Sequence, residues 1–396
     1  MDGNAGKTGK IVRLVCAVLL VLAALAYALL LAAESACDLG IAGGLSRLFA
    51  GERRPLLAAF LPRLWIPAAA LALGLLFVLL PGKKAASDEG EGGSGAGREL
   101  TALFTVAAVV CAATAVSLTA VRYTQCAVGE RAILSVRQAV HEDGFILHAG
   151  GALPGNDGEE VHVTNSVQSL ENYRKNGKTR FLEMDLLETS DGDIICAHDW
   201  EKISVDGKAL EGPVTKEEAK RGFFKDTKYT PASMEDLIAL IDEKPETMIV
   251  SDVKDDNAAC VRLIAERWPS YRDHFIVQIY HASEYDEIRE LGYPYILFTI
   301  YRTKAEEHSY QALRDISASR NLVSFTIPAK WTIPDKKPSF AGEFDLIRTL
   351  RTPMYCHTVD KPERMKECLD MGFDAIYTNV VGAEKPGGIT KEEKPG

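Results

Sequence analysis

Residues 181–200 read Phe181-Leu182-Glu183-Met184-Asp185-Leu186-Leu187-Glu188-Thr189-Ser190-Asp191-Gly192-Asp193-Ile194-Ile195-Cys196-Ala197-His198-Asp199-Trp200. Alternate side chains of a strand share a face, so Glu183 and Asp185 point one way and Leu182, Met184 and Leu186 the other. Two carboxylates side by side on an inner face repel each other and lose hydration, which favours capture of a proton or a cation. Hard ions with oxygen ligands, Ca²⁺ or Mg²⁺, suit them. The alternative is an edge strand with solvated acids. Asp191-Gly192 is a hairpin signal. If those two residues are the loop, Ser190 faces Asp193, Asp185 faces His198 and Glu183 faces Trp200, with Cβ atoms ~5 Å apart. A bulge would break that register.

Outward from this stretch, short runs rich in β-branched and aromatic residues alternate with amphipathic segments. The strand candidates are Phe145–Ala149, Arg180–Leu186, Thr247–Lys254, His274–Tyr280, Tyr295–Tyr301, Leu322–Pro328, Pro353–Val359 and Ala375–Thr378. Helices are expected at 165–177, 232–243, 256–268, 283–291, 304–319, 342–350 and 361–371. Pro231 and Ser233 mark one helix start, and Asp360-Lys361-Pro362 another. Eight strands alternating with helices over about 240 residues predict an α/β fold of the (β/α)₈ TIM-barrel type. A doubly wound sheet is the rival, but its usual GxGxxG loop is missing after the first strand, which ends His148-Ala149-Gly150-Gly151. In a barrel, His148, Glu183, Asp185, Asp252 and Lys254 all fall at C-terminal strand ends, where barrels carry their chemistry.

The first third of the chain has another character. Leu14 to Ala33 is an apolar run of 20 residues preceded by Lys7, Lys10 and Arg13, long enough to cross ~30 Å of hydrocarbon. It exceeds a usual signal-peptide core, which favours an uncleaved anchor. Further spans are expected at 64–81 and 100–121, joined by a polar Gly-rich loop. The expected organisation is therefore a three-span α-helical membrane region over 1–122, a connector over 123–140, a barrel over 141–382 and a flexible tail over 383–396. Basic residues at the N-terminus and at Lys83 and Lys84 favour a cytoplasmic N-terminus and an extracytoplasmic catalytic half of a multi-pass membrane protein. Arg47, Arg53 and Arg54 run against this. In that topology Cys37 and Cys126 share a face, as a pair or as two free thiols. The net charge of −10 and the lack of a basic stripe exclude a nucleic-acid binder. The partners expected are a lipid bilayer and a small-molecule or lipid-derived phosphodiester.

His148 and His198 are candidates for an acid/base pair, since imidazole exchanges a proton near neutral pH. Asp252 and Lys254 share a face of Ile249-Val250-Ser251-Asp252-Val253-Lys254; Asp252 completes a three-carboxylate site and Lys254 offers a charge to phosphate. Taken in order, His148-Ala149-Gly150, Thr164-Asn165-Ser166, Glu183-Met184-Asp185, Thr189-Ser190-Asp191-Gly192, His198-Asp199, Asp252-Val253-Lys254, His357-Thr358-Val359-Asp360 and Tyr377-Thr378-Asn379 resemble the glycerophosphodiester phosphodiesterase family. The resemblance implies metal binding by Glu183, Asp185 and Asp252, catalysis by His148 and His198, and substrate contacts from Lys254, Asn165 and His357. It further implies attack by a substrate hydroxyl, a cyclic phosphate, and release of glycerol 3-phosphate and an alcohol. Three residues depart from the family pattern. Ala149 stands where an Arg is usual, Asp252 where Glu is, and His357 where Trp is. Arg302 and Lys330 are further candidates to replace the missing cation. A lyase-like relative that releases the cyclic phosphate, and a non-catalytic scaffold, are the alternatives.

Overall fold

Eight parallel strands close into a ring: β1 (Phe145–Leu147), β2 (Phe181–Glu188), β3 (Met248–Val253), β4 (Phe275–Ile279), β5 (Tyr295–Thr299), β6 (Phe325–Pro328), β7 (Met354–His357) and β8 (Ala375–Thr378). Each pairs with its sequence neighbours, and β1 joins both ends through Phe145↔Ile376 and Leu147↔Leu182. That double pairing rules out the open doubly wound sheet. All eight strands lie within the expected segments, apart from the two residues by which β2 runs past Leu186. The computed structural model describes residues 129–332 and 338–384. The three expected membrane spans and most of the expected tail lie outside these. Among the described residues no helix is long and apolar enough to cross a membrane.

The strand alternation sorts the side chains into two cores. Outward residues such as Leu182, Met184, Val277, Phe298 and Ile327 pack against Leu170, Leu237, Ile264 and Leu313 of the surrounding helices. Inward residues Ile146, Phe181, Val250, Ile276, Leu297, Tyr355 and Tyr377 fill the N-terminal end of the bore. Burying each such side chain stabilises the fold by roughly 1.5–3 kcal/mol, which offsets the cost of burying polar groups above them. Two residues further along each strand the inward series turns polar. Glu183 follows Phe181, Asp252 follows Val250, Gln278 follows Ile276, His357 follows Tyr355 and Asn379 follows Tyr377. The site is therefore built on an apolar floor.

Three features differ from expectation. Residues 129–143 are helical; Val136 and Val140 of this helix are buried against the bore residues, and the Arg137 side chain donates to the Leu322 carbonyl at 3.2 Å. The compact unit accordingly begins at Arg131, inside the segment read as a connector. Second, two insertions crown the C-terminal end. One is a hairpin of Leu153–Pro154 and Glu160–Val161 after β1. The other is a small sheet of Ile203–Val205, Lys208–Ala209 and Phe223–Phe224 after β2, with its own core of Trp200, Ile203, Leu210 and Phe224.

Third, the hairpin after β2 is one residue out of the expected register. Leu186 pairs with Cys196, and the Thr189 N–H donates to the Asp193 carbonyl at 2.9 Å, so Ser190, Asp191 and Gly192 form a three-residue loop. Thr189 Oγ1 closes it, donating to Asp191 Oδ1 at 2.6 Å and accepting from the Asp193 N–H at 2.9 Å, with Gly192 at φ 69°. A one-residue slip reverses every facing relationship. Ala197, not His198, lies beside Asp185, donating its N–H to the Asp185 carbonyl at 3.1 Å.

Candidate active site

Glu183, Asp185 and Asp252 are buried, and each offers a carboxylate oxygen within 4.8 Å of the others. β2 and β3 pair so that Asp185 stands directly beside Asp252. Each carboxylate is held by a different device. The N–H of Ala149, in the left-handed region at φ 48°, donates to Glu183 Oε2 at 2.7 Å. Asn165, also left-handed at φ 44°, grips Asp185 at two points: its Nδ2 donates to Oδ2 at 2.6 Å and its Oδ1 accepts the Asp185 N–H at 3.0 Å. The Tyr280 hydroxyl donates to Asp252 Oδ1 and accepts from Gln278 at 2.7 Å.

Lys254 lies among them, its Nζ 2.5 Å from Asp185 Oδ1 and 2.9 Å from Asp252 Oδ2. Three carboxylates thus face one ammonium, an excess of acid groups that favours capture of a proton or a cation. Burial, with Asp185 and Asp252 alongside, pushes the Glu183 carboxyl well above the usual carboxylate range. Burial also pushes Asp252 up, but Lys254 and the Tyr280 hydroxyl outweigh it and hold Asp252 low. Burial alone would push the Lys254 ammonium down; the surrounding carboxylates raise it instead. This donor set fits a hard divalent cation: the oxygens are all carboxylate, they lie within 4.8 Å of one another, and three acid groups share a single ammonium.

His148 Nδ1 lies 2.8 Å from Asn379 Oδ1. The amide orientation follows from Asp360, which accepts from Asn379 Nδ2 at 2.8 Å and from the Asn379 N–H at 2.7 Å. Asn379 therefore presents its oxygen to the imidazole and accepts a hydrogen bond from Nδ1–H, which turns Nε2 toward the carboxylates, 3.9 Å from Glu183 Oε2. His357 meets His148 edge-on with ring centroids 5.0 Å apart, and burial together with the His148 charge pushes its imidazole down to about 3. It is a neutral wall. With Tyr301, Lys330, Trp331, Thr358 and Arg364 it lines a cleft of about 660 Å³. His198 stands apart from this group. It is 44% exposed, its Nδ1 donates to Asp199 at 2.7 Å, and it lines a second cleft of about 470 Å³ with Val161, Val163, Lys202 and Phe224.

Of the residues singled out in the sequence, His148, Glu183, Asp185, Asp252, Lys254, Asn165 and His357 converge. Lys254, expected to face phosphate, is buried between two carboxylates; Asn165, expected to touch substrate, clamps Asp185. Asn379, Asp360, Tyr280 and Tyr301 were not singled out for the site. The inward alternation of β8 and β4 carried a signal for two of them, since Asn379 follows Ala375 and Tyr377, and Tyr280 follows Ile276 and Gln278.

Fold and site together define an enzyme of the (β/α)₈ class, with a buried carboxylate cluster at the C-terminal mouth. The chain belongs to the glycerophosphoryl diester phosphodiesterase family, which it matches over residues 150–383 of 396, and is a phosphoric diester hydrolase. Solved structures similar to it include a glycerophosphoryl diester phosphodiesterase from Parabacteroides distasonis (18% identity, 60% of this chain and 82% of that one, TM-score 0.45). Another is the glycerophosphodiester phosphodiesterase from Thermotoga maritima (13%, 60% and 95%, TM-score 0.45). A third is an Oleispira antarctica phosphodiesterase in complex with the product sn-glycerol 3-phosphate (13%, 60% and 93%, TM-score 0.45). No curated protein matches the chain.

Proposed function

We propose that the protein hydrolyses a glycerophosphodiester to glycerol 3-phosphate and an alcohol, with Glu183, Asp185 and Asp252 holding a divalent cation, Ca²⁺ or Mg²⁺. One observation carries this reading: three buried carboxylates lie beside a histidine whose Nδ1 is tied to Asn379 and whose Nε2 points at them. A cation held there supplies positive charge to the non-bridging oxygens of the phosphate as negative charge builds on them. His148 Nε2 takes the proton from the attacking hydroxyl, while Asn379 keeps Nδ1 protonated and the ring in place. His198, with Nδ1 tied to Asp199 in the second cleft, is the acid for a departing alcohol that extends into that cleft, giving it a proton from Nε2. When the nucleophile is a hydroxyl of the substrate, the cyclic phosphate formed is opened by water with the two histidines exchanging roles. His357 and Tyr301 shield the reacting face from solvent.

The test uses the full chain with glycerophosphocholine, measuring glycerol 3-phosphate release. Chelator should abolish it and Ca²⁺ or Mg²⁺ restore it. His148→Ala should lower kcat by about 10²–10⁴-fold; full activity in that variant would remove His148 from its role. A cyclic phosphate that accumulates without opening would move the protein to the lyase-like alternative. We also propose that residues 1–122 anchor the enzyme in a membrane through three spans, with the catalytic unit extracytoplasmic, on the strength of the apolar runs and their flanking charges. Protease added outside intact cells should then cleave the catalytic unit.

A further inference from the structure

An anionic diester bound at this mouth needs a cation that is both accessible and uncommitted. Lys254 is neither: its side chain is 8% exposed and contacts two carboxylates. Arg364 donates to Glu367 at 2.6 Å and to the Ala329 carbonyl at 3.1 Å. Arg302 differs. It ends the short helical turn Ile300–Arg302 that directly follows β5, so it lies at the C-terminal mouth. It is exposed and has no ion pair among the described residues. Its guanidinium carbon sits 4.2 Å over the ring of Tyr280, and Tyr280 in turn holds Asp252.

The rings around the carboxylates form a continuous arc. His148 touches His357 at 5.0 Å, His357 touches Tyr301 at 5.6 Å, and Tyr301 touches Tyr280 at 6.2 Å. Arg302 caps the far end of that arc, opposite the catalytic imidazole. Stacking on an aromatic face restrains the guanidinium while leaving its N–H edge open, which is the geometry used to bind phosphate at two points.

We propose that Arg302 is the phosphate-anchoring residue of this site, its guanidinium laid over Tyr280 and donating to a non-bridging oxygen of the diester. The inference rests on the reading of the site as a phosphodiesterase centre. It gives the diester a positive charge at the mouth, apart from Lys254, which is buried among the carboxylates.

The experiment compares the full-length wild type with Arg302→Ala, Arg302→Lys and Lys330→Ala. It measures kcat and KM for glycerophosphocholine at saturating Ca²⁺ or Mg²⁺, and calorimetric binding of glycerol 3-phosphate and of the metal alone. Arg302→Ala should raise KM by about 10–100-fold and weaken glycerol 3-phosphate by a similar factor, with metal affinity within about twofold; Arg302→Lys should recover part of the loss, since it keeps the charge but not the fork. Three results would overturn the proposal. One is unchanged KM and glycerol 3-phosphate affinity in Arg302→Ala. Another is a loss of metal affinity with phosphate binding intact, which would make Arg302 a support for Asp252. The third is the expected pattern appearing in Lys330→Ala instead. Should the wild type turn over no diester, the hydrolytic reading fails by itself, and the glycerol 3-phosphate measurements still decide for or against Arg302.

Discussion

His148 offers Nε2 to the carboxylates because Asn379, itself oriented by Asp360, claims Nδ1. The chain of contacts predicts that Asn379→Ala lowers kcat by about 10–100-fold with little change in KM, the scale on which partners that orient a functional group act. The check beyond rate is the ¹⁵N spectrum of the imidazole, which should change from one tautomer to a mixture. A purely structural role for Asn379 would leave the tautomer alone and lower stability instead. At the same scale, the clustering of Glu183, Asp185 and Asp252 around a single ammonium predicts that a divalent ion stabilises the fold. At about 100 times its Kd the gain is about 2.7 kcal/mol. Calorimetry should show a Tm increase that chelator reverses and that Asp252→Asn removes. Much of this site was legible in advance: alternation within 181–186 and 249–254 puts the three acids on one face. The partners of Lys254 were not legible, because alternation tells which face a side chain occupies, not which anions it meets there. The neighbour of Asp185 across the strands is Asp252 itself, and that proximity draws the ammonium inward.

The elements around β2 are joined by Asp193. Its carboxylate lies 2.7 Å from Lys216 Nζ and 3.1 Å from Arg267 Nη2, tying the hairpin loop to two helices. Burial pushes this carboxyl up, but Lys216 and the Ile194 N–H more than offset that and hold it below the usual aspartate range. A depressed folded pKa contributes stability that is present above the unfolded value, about 3.9, and is lost as pH falls through the folded value. Asp193→Asn should therefore cost about 1 kcal/mol at pH 7, a figure kept small because both partners are partly exposed. In urea unfolding the gap from wild type should close as the pH is taken below the ordinary aspartate range; a gap that persists there would assign the cost to packing. The Asp-Gly turn was visible in the sequence, but its length was not. The Thr189 hydroxyl adds one residue to the loop by bonding both Asp191 and Asp193, and that single residue moves His198 away from Asp185 into the cleft shared with Val163 and Phe224.

At the scale of the whole catalytic unit, the floor and the mouth of the barrel are separable. Val140 is fully buried beneath Ile146, Phe181 and Val250, at the end of the bore opposite the carboxylates. Val140→Ala removes two methyl groups' worth of burial and should cost about 2 kcal/mol, read by urea denaturation. Its kcat/KM should stay within about twofold of wild type. A large loss of activity without loss of stability would show that the floor and the site are coupled.

The amino-acid sequence by itself determined the eight strands, their helical partners and the face on which each acid lies, because strand and helix periodicity are local properties of neighbouring residues. It also determined that the bore changes from apolar to polar along each strand. Only the tertiary structure decided what closes around that face. The His148–Asn379 contact spans 231 positions and exists because β1 pairs with β8. The helix 129–143 becomes part of the barrel only because an open bore leaves apolar residues to cover. Arg302 and Tyr280, which follow neighbouring strands, meet beside Asp252 only once the ring has formed. Contacts of this kind depend on which strand ends the closed barrel brings side by side, and no local pattern encodes that.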